Sequence, residues 1–461
     1  MLMSSEGLDR RRFLRASGGV VGALLPNGIA LANDSRSDRP VGFGRAKSVL
    51  IVLLSGGLSQ LDTLDPKPEA PAEVRGEFSP ISTTIPGVSV SEHLPRFARQ
   101  TDRWAIVRTL AHREHNHLLA THVALTGRPT PLPRGASDLD RVETRNDFPN
   151  YAAALNFIRP RTDGIPSGVA LPNYLIEGPL TWPGQHAGFL GAKYDPWQVN
   201  GNPNDQDFQM QALAMRPDVS IERLRSRQRL LDELGAGRTP MTTLDVNALR
   251  DQQELAFNLL TSGKVTKAFE LKRESDETRE RYGRNKFGQS LLLSKRLVEA
   301  GVPMVHATMG IVQTWDTHVD NWGKLKNTLL PQLDQGLAAL TDDLQASGLL
   351  DETLVVVMSE FGRTSKVSTL PGQTIPGRDH WAHAYSGLFA GAGVKGGQVL
   401  GQTDRQAAYP VTRSWSPADL CTTIFNSLGV DPEATLFDPL NRPHSLLNGN
   451  VITNLYTGAT A

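Results

Sequence analysis

The chain has 461 residues, which is enough for one large α/β domain or two smaller domains. Lysine plus arginine and aspartate plus glutamate number 48 each, so no net charge attracts nucleic acid or anionic lipid. The single cysteine, Cys421, excludes an intramolecular disulfide and a cysteine-rich metal site, and we expect it to be a buried thiol.

The first 33 residues resemble a bacterial twin-arginine export signal. A basic cluster precedes a glycine-diluted apolar stretch at residues 16–25, which is too short to span a bilayer stably, and a small-x-small cleavage pattern at residues 30–32. The Arg-Arg-x-Phe-Leu-Lys/Arg core is matched by Arg10, Arg11, Arg12, Phe13, Leu14 and Arg15. We expect the twin-arginine export machinery to deliver the protein to the periplasm or outside the cell. The alternative is a basic amphipathic helix on the folded domain.

The remaining chain alternates strand and helix patterns after a polar linker at residues 34–47. Apolar runs predict buried strands at residues 48–57, 104–110, 303–309, 353–362 and 386–394. Amphipathic patterns predict helices that include residues 287–301 and 330–348. We therefore predict an α/β fold with a mostly parallel sheet covered by helices on both faces. Residues 48–455 would form one domain, with loop-rich insertions at about 130–240.

Polar side chains follow four of the predicted strands. Ligands bind beyond the carboxyl ends of strands in open parallel sheets, so we expect these side chains to meet. The candidates are Asp62 after the first strand, His117 after the second, Asp316 and His318 after the third, Glu360 and Arg363 after the fourth, and then Arg378 and His380.

Four of these residues form a reasonable divalent-metal set. Carboxylate oxygens and neutral imidazoles together suit zinc, manganese or iron, and calcium is a further candidate. The set consists of Asp316, His318, Glu360 and His380.

Each proposed ligand has a structural alternative. Asp316 could cap a helix that begins near residue 319. Glu360 could form a purely structural ion pair with Arg363 or Arg378, and His380 could stack on Trp381. These alternatives remain open at the level of sequence.

Two further residues suit contacts with an anion. Asp62 is the preferred anion or metal contact in the loop after the first strand, and His117 stands beside a predicted helix N-terminus. The chain contains no G-x-S-x-G, P-loop or H-E-x-x-H motif, which removes the common serine hydrolase, nucleotide-binding and zincin classes.

Several blocks in order resemble the domain of unknown function 1501 family, a group of exported bacterial proteins that is distantly similar to sulfatases and alkaline phosphatases. The resemblance extends from about residue 45 to the C-terminus and implies an alkaline-phosphatase/sulfatase-like fold. The blocks include GGLSQLDTLDPKP, HNHLLATHVALTGRP, WDTHVDNW, MSEFGRT and GRDHWAHAYSGLFAGAG.

The wider resemblance also implies roles for individual residues. The segment LTGR at 125–128 looks like the end of a sulfatase nucleophile helix, which makes His117 the residue at the nucleophile position. Asp316 and His318 resemble one metal-binding pair, Glu360 stands where an Asp of an Asp-His pair usually lies, and His380 resembles the late histidine.

This sequence departs from the superfamily pattern at three places. His117 replaces a Cys, Ser or Thr nucleophile, and Phe361 replaces the histidine of the Asp-His pair. Ser55 or Gly56 occupies the usual acidic position after the first strand. A two-metal phosphatase mechanism therefore does not follow from the resemblance.

The leading hypothesis is an exported, metal-dependent hydrolase of small-molecule or glycan esters of phosphate or sulfate. His117 and Arg363 would be catalytic, and Asp62 and Arg378 would contact the substrate. The alternative is a catalytically inactive, sulfatase-like protein that binds a glycan or a protein partner. The missing alcohol or thiol nucleophile favours this alternative.

Overall fold

A sheet of eight strands runs through the computed structural model, which describes residues 39–130, 144–178, 180–208, 222–223, 226, 229–230 and 263–458. The predicted export signal and residues 34–38 of the predicted linker lie outside these residues. The strands are, in chain order, β1 Ser48–Leu53, β2 Pro80–Ser82, β3 Ser89–Ser91, β4 Ala105–Leu110, β5 Val169–Leu171, β6 Ile176–Glu177, β7 Leu180–Thr181, β8 Trp197–Gln198, β9 Met304–Thr308, β10 Thr353–Met358, β11 Gly362–Arg363, β12 His380–Trp381, β13 Tyr385–Ala390, β14 Gln398–Leu400, β15 Thr435–Phe437 and β16 Pro443–Ser445.

Helices occupy much of the remaining described chain. They are α1 Ala72–Arg75, α2 Pro95–Ala98, α3 His117–Thr126, α4 Tyr151–Ile158, α5 Lys264–Ala268, α6 Asp276–Tyr282, α7 Lys286–Glu299, α8 Asn321–Lys324, α9 Leu330–Ala346, α10 Pro417–Ser427 and α11 Asn454–Thr457. Among the described residues, no helix is both long and apolar enough to cross a membrane.

The central sheet is mostly parallel, as predicted. Its strand order is β14-β4-β13-β10-β1-β9-β5-β8. The strands from β10 to β8 pair in parallel, and β13 runs antiparallel to both β10 and β4. Because β4 and β14 share the direction of the parallel group, the carboxyl ends of all strands except β13 lie at one edge.

Alternation along β1 shows how the sheet separates two apolar cores. Leu50 and Val52 pack on one face with residues of α7 and α9, whereas Val49 and Ile51 pack on the other with residues of α3, α4 and α10. Each such side chain stabilises the fold by about 1.5–3 kcal/mol when fully buried. Cys421 of α10 is buried in the second core, as expected. The sheet is therefore covered by helices on both faces.

A proline sets the start of α9. Pro331 has no amide hydrogen, and its ring crowds the carbonyl four residues earlier, so an ordinary α-helix cannot continue through it. The chain passes from α8 through a wider π-helical turn at Leu325–Leu329, and α9 begins at Leu330. This arrangement keeps the apolar face of α9 on the sheet.

The stretch predicted as loop-rich insertions also contributes to the sheet. Its described residues include helix α4 and the strands β5 and β8, which extend the sheet beyond β9. The two strands are three and two residues long, too short for a periodic pattern to reveal. Residues 131–143, residue 179 and most of 209–240 lie outside the described residues.

The stability of the fold depends on pH through His306 of β9. It pairs in register with Ile51, and its buried Nε2 has no hydrogen-bond partner among the described residues. Burial lowers the pKa of His306 from the ordinary 6.5 to about 4. In the unfolded chain the ring titrates at its ordinary pKa. Between these two values the unfolded state binds the extra proton, so the free energy of unfolding falls as the pH falls.

We expect the His306→Gln variant to lose this part of the pH dependence. The penalty in the parent is absent above about pH 6.5 and complete below about pH 4, and at about 1.4 kcal/mol per pKa unit it amounts to roughly 3 kcal/mol. Urea unfolding at pH 7.5 and pH 4.5 measures it in both proteins. An equal loss of stability in parent and variant would contradict the assignment.

Candidate metal centre

Loops from four parallel strands meet at the carboxyl edge of the sheet. The loop after β1 contacts the other two central loops, because Gly56 N donates to Glu360 Oε1 at 2.7 Å and Trp315 N donates to the Ser55 carbonyl at 2.8 Å. The loop after β4 leads into α3, and β12 enters this edge ahead of the antiparallel β13. The strand ends therefore gather the polar side chains as predicted from the sheet.

Gly56 allows these loops to approach each other closely. Its φ is 118°, a value that L side chains rarely adopt, and a Cβ atom there would lie 2.5 Å from the Asp316 backbone nitrogen. A larger residue at this position would push the β1 loop away from Asp316.

His117 is the first residue of α3, and the helix cap fixes its position. The side chain of Asn116 accepts hydrogen bonds from Leu118 N and Leu119 N at 2.9 and 3.3 Å. The His117 ring is buried between Trp182, at 5.4 Å between centroids, and Phe361, at 4.9 Å. Its edge is directed at Asp316.

Three histidines surround the carboxylate of Asp316. The Nε2 atom of His117 lies 3.4 Å from Asp316 Oδ2, and those of His318 and His380 lie 3.1 and 3.3 Å from Oδ1. The Nε2 atoms of His318 and His380 are 2.9 Å apart. Donor atoms of His117, Asp316 and His380 all lie within 4.8 Å of one another.

The other ring nitrogen of each histidine faces an acceptor. An acceptor at Nδ1 fixes the hydrogen on Nδ1, so in the neutral ring the lone pair stands on Nε2. The acceptors are Glu360 Oε1 for His117 at 2.9 Å, Asp379 Oδ1 for His318 at 2.8 Å, and the carbonyl of His115 for His380 at 2.7 Å.

Three nitrogen lone pairs and a carboxylate therefore face one another, and none of these donor atoms carries a hydrogen. Such a group repels itself unless a cation or an extra proton lies among the donors. Donors bound to one small cation at about 2.1 Å are separated by about 3.4 Å, close to the 3.4 and 3.3 Å that separate Asp316 from the Nε2 atoms of His117 and His380. His318 Nε2 lies 3.1 Å from Asp316 but is not part of the group of donors that all lie within 4.8 Å of one another. The pattern of imidazoles whose Nδ1 hydrogens go to carboxylates or carbonyls is typical of metal-binding histidines. The residues thus fit a divalent metal.

The charges of the cluster favour an ionised Asp316. Burial would raise the pKa of Asp316, but in the metal-free cluster a proton shared with His117 or His380, and the charge of Arg363, hold it well below its usual range. Burial would lower the pKa of His117, yet Asp316 and Glu360 together raise it. A proton therefore competes with a metal for this ring as the pH falls.

Glu360 lies behind His117 and outside the group of converging donors. Its Oε1 atom accepts from His117 Nδ1 and Gly56 N, while Oε2 is buried without a hydrogen bond among the described residues. It was predicted as a metal ligand, and the structure places it as the acceptor that orients a ligand. The alternative, a structural ion pair between Glu360 and Arg363 or Arg378, is not formed, because Glu360 pairs with His117 and Gly56 instead.

Arg363 holds the loops around Asp316. It is fully buried, forms an ion pair with Asp316 Oδ1, and donates to the carbonyls of Gly56, Gly57 at 3.2 Å, Trp315 at 3.2 Å and Arg378 at 3.3 Å. A guanidinium with so many protein acceptors positions Asp316 and the backbone. The structure therefore places this predicted catalytic residue as a positioning residue.

Asp62 and Arg378, the predicted substrate contacts, form a fully buried ion pair at 2.7 Å. Asp62 also accepts from Ser59, Asn321 and Trp322. All five Arg378 donors are used, because Thr364, Ser365 and Val74 provide carbonyl acceptors for the donors that do not reach Asp62. Neither side chain retains a group for a substrate in this structure.

The remaining alternatives from the sequence are settled by geometry. Asp320 stands at the N-cap of α8, so Asp316 does not cap a helix. The ring of His380 contacts those of His117, His318 and Phe361, and its neighbour Trp381 contacts other rings. The sequence reasoning missed Asp379 as the acceptor for His318; its position directly before His380 was the available signal.

The chain belongs to the family described as protein of unknown function (DUF1501), whose model matches residues 46–456. No curated protein is significantly similar to it in sequence. The prediction of this family from the sequence blocks is confirmed.

Several solved structures are similar to the chain at a low level. The PsFucS1 sulfatase from Pseudoalteromonas sp. has 13% identity over 91% of this chain and 72% of its own, with a TM-score of 0.41. The phosphonate monoester hydrolase SpPMH from Silicibacter pomeroyi has 12% identity over 90% and 77%, with a TM-score of 0.38. The lipoteichoic acid synthase LtaP from Listeria monocytogenes has 12% identity over 89% and 78%, with a TM-score of 0.36. Similarity at this level does not assign an activity to the chain.

We predict that Glu360→Gln weakens metal binding by about tenfold or more, because the neutral amide holds the Nδ1 hydrogen of His117 less strongly. Competition with a chromogenic chelator measures the affinity. Glu352→Gln is the matched control, since Glu352 pairs with Lys47 at the surface just before β10. Equal affinities for the Glu360 variant and the parent would contradict the role given to Glu360.

Proposed function

We propose that the protein is a metal-dependent hydrolase of phosphate or sulfate esters. The observation that carries the proposal is the convergence of the Nε2 atoms of His117, His318 and His380 on the Asp316 carboxylate at the edge of the sheet where such folds bind ligands. The resemblance of the sequence blocks to the sulfatase and alkaline phosphatase superfamily supports the reaction class.

His117, Asp316, His318 and His380 would hold the metal. Three nitrogens and one carboxylate suit zinc or manganese better than calcium, which prefers oxygen ligands. A divalent cation bound there would supply Lewis-acid stabilisation of the charge that develops on the ester.

The surrounding residues keep the donor set in place. Glu360, Asp379 and the carbonyl of His115 each hold a hydrogen on the Nδ1 atom of one histidine. The side chains of His318 and His380 are 25% and 22% exposed, whereas that of His117 is 6% exposed. The substrate therefore approaches from the side of His318 and His380.

The attacking group in the proposed reaction is water. Among the described residues, no Ser, Thr or Cys side chain hydrogen-bonds to the side chain of a proposed ligand. The water oxygen bonds to phosphorus or sulfur, the ester oxygen leaves, and the leaving alcohol takes up a proton. No covalent enzyme intermediate is required.

We expect Asp316→Asn to lose both the metal and turnover, because the amide carries no charge and cannot balance Arg363. Elemental analysis after chelator-free purification and product release from a panel of phosphate and sulfate esters measure the two effects. Asp351→Asn, on the surface, is the matched control. Where Asp316→Asn fails to fold, the more exposed His318→Ala replaces it. Retained turnover in a metal-free variant would contradict the proposal.

A catalytically inactive binding protein is the second candidate. It is favoured by the arginines, because Arg363 and Arg378 give their donors to protein acceptors instead of facing an anionic ester. Saturable binding of a glycan without any product, at full metal occupancy, would favour this candidate over the hydrolase.

We also propose export by the twin-arginine route, on the basis of the arginine pair and Phe13-Leu14. Replacing Arg10 and Arg11 by lysine should retain the protein in the cytoplasm, as cell fractionation would show. Unchanged export of this double variant would contradict the route.

A further inference from the structure

Four rings form a cluster on the opposite side of β12 from the metal centre. His380 and Trp381 are consecutive strand residues, so their side chains point to opposite sides. The His380 ring contacts the donor cluster, whereas the Trp381 ring contacts His115, His383 and Tyr409 at 5.9, 5.0 and 5.4 Å between centroids. We call these four residues, His115, Trp381, His383 and Tyr409, the ring cluster.

The ring cluster presents an aromatic face on a firmly held loop. Tyr409 is 50% exposed and stacks on His383 at 5.6 Å with an angle of 28° between the rings. Its loop is closed by a hydrogen bond from Asp404 N to the Tyr409 carbonyl at 2.9 Å and anchored by Trp381 Nε1, which donates to the Ala408 carbonyl at 2.6 Å. An exposed aromatic ring held in this way loses little conformational entropy on binding.

The loop is also tied to the metal centre. Gln60 donates through Nε2 to the carbonyl of Arg363 at 2.8 Å and to that of Ala407 at 3.1 Å. Arg363 in turn holds Asp316. Hydrogen bonds therefore connect the loop that carries Tyr409 with the residues of the metal centre.

A polar group accompanies the aromatic faces. His115 Nδ1 accepts from Ala382 N at 3.3 Å, so in the neutral ring Nε2 carries the hydrogen and donates to His383 Nε2 at 3.3 Å. In the neutral His383 ring the hydrogen then stands on Nδ1, which has no hydrogen-bond partner among the described residues. The cluster offers flat apolar faces together with one free donor.

We propose that the ring cluster is a subsite for a sugar ring. A pyranose has an apolar face that packs on an aromatic ring and hydroxyl groups at its edge, which match the free His383 donor and the Tyr409 hydroxyl. The ring cluster and the metal centre are separated by the two-residue strand β12, so a substrate that extends over this strand would place its sugar on the rings and its ester at the metal. This assignment rests on the proposed function and makes a glycan ester the substrate class.

The test is binding of the metal-loaded protein to an immobilised panel of sulfated, phosphorylated and unmodified oligosaccharides, with the affinity of each hit measured by calorimetry. Tyr409→Ala should weaken binding by about tenfold, because it removes the stacking face while leaving the loop's backbone hydrogen bonds in place. Val411→Ala, an equally exposed site nearby, is the control and should bind as the parent does. His383→Ala, made as a separate variant, should also weaken binding, because it removes the free donor.

Asp316→Asn separates this inference from the proposed function. Retained saccharide binding in that variant, with turnover lost, is expected if the ring cluster is a subsite of its own. Unchanged affinity in Tyr409→Ala would overturn the inference, and so would a panel on which no saccharide binds the parent. If the parent still hydrolyses simple aryl esters in that case, the sugar subsite fails while the proposed hydrolase function stands.

Discussion

The buried carboxylate of Asp316 is the group around which the centre is arranged. A carboxylate removed from water needs compensating charge, and here Arg363 and the edges of His117, His318 and His380 surround it. Removing one partner of a buried ion pair typically costs about 3–5 kcal/mol. The loops after β1, β9 and β10 are therefore held together by the same charge that would bind the metal.

The position of each donor follows from the sheet. Parallel strands carry the loops to one edge, Gly56 lets two of them touch, and the Asn116 cap directs the first residue of α3 towards them. Glu360 then fixes His117 from behind, and Asp379 fixes His318. The ring cluster extends this arrangement across β12, so that one two-residue strand contributes to both the metal centre and the proposed sugar subsite.

Much of the fold was predictable because long apolar runs form the central strands. The runs at 48–57 and 353–362 contain the strands β1 and β10. The antiparallel direction of β13 was not predictable, since the alternation of residues along a strand is the same in either direction. Asp316, His318 and His380 were predicted as donors, and they converge. The role of Asp62 depends on Arg378, 316 residues away, and no local pattern reveals such a pair.

The proposed metal centre requires three imidazoles to present Nε2 lone pairs to one metal. Long-range ¹H–¹⁵N NMR of the histidine rings, with and without zinc and with rings assigned by single substitutions, tests this arrangement. We expect His117, His318 and His380 to carry hydrogen on Nδ1 in the zinc-loaded protein and their Nε2 resonances to shift on zinc binding. Hydrogen on Nε2 in these rings, or Nε2 resonances that do not change when zinc is added, would contradict this arrangement.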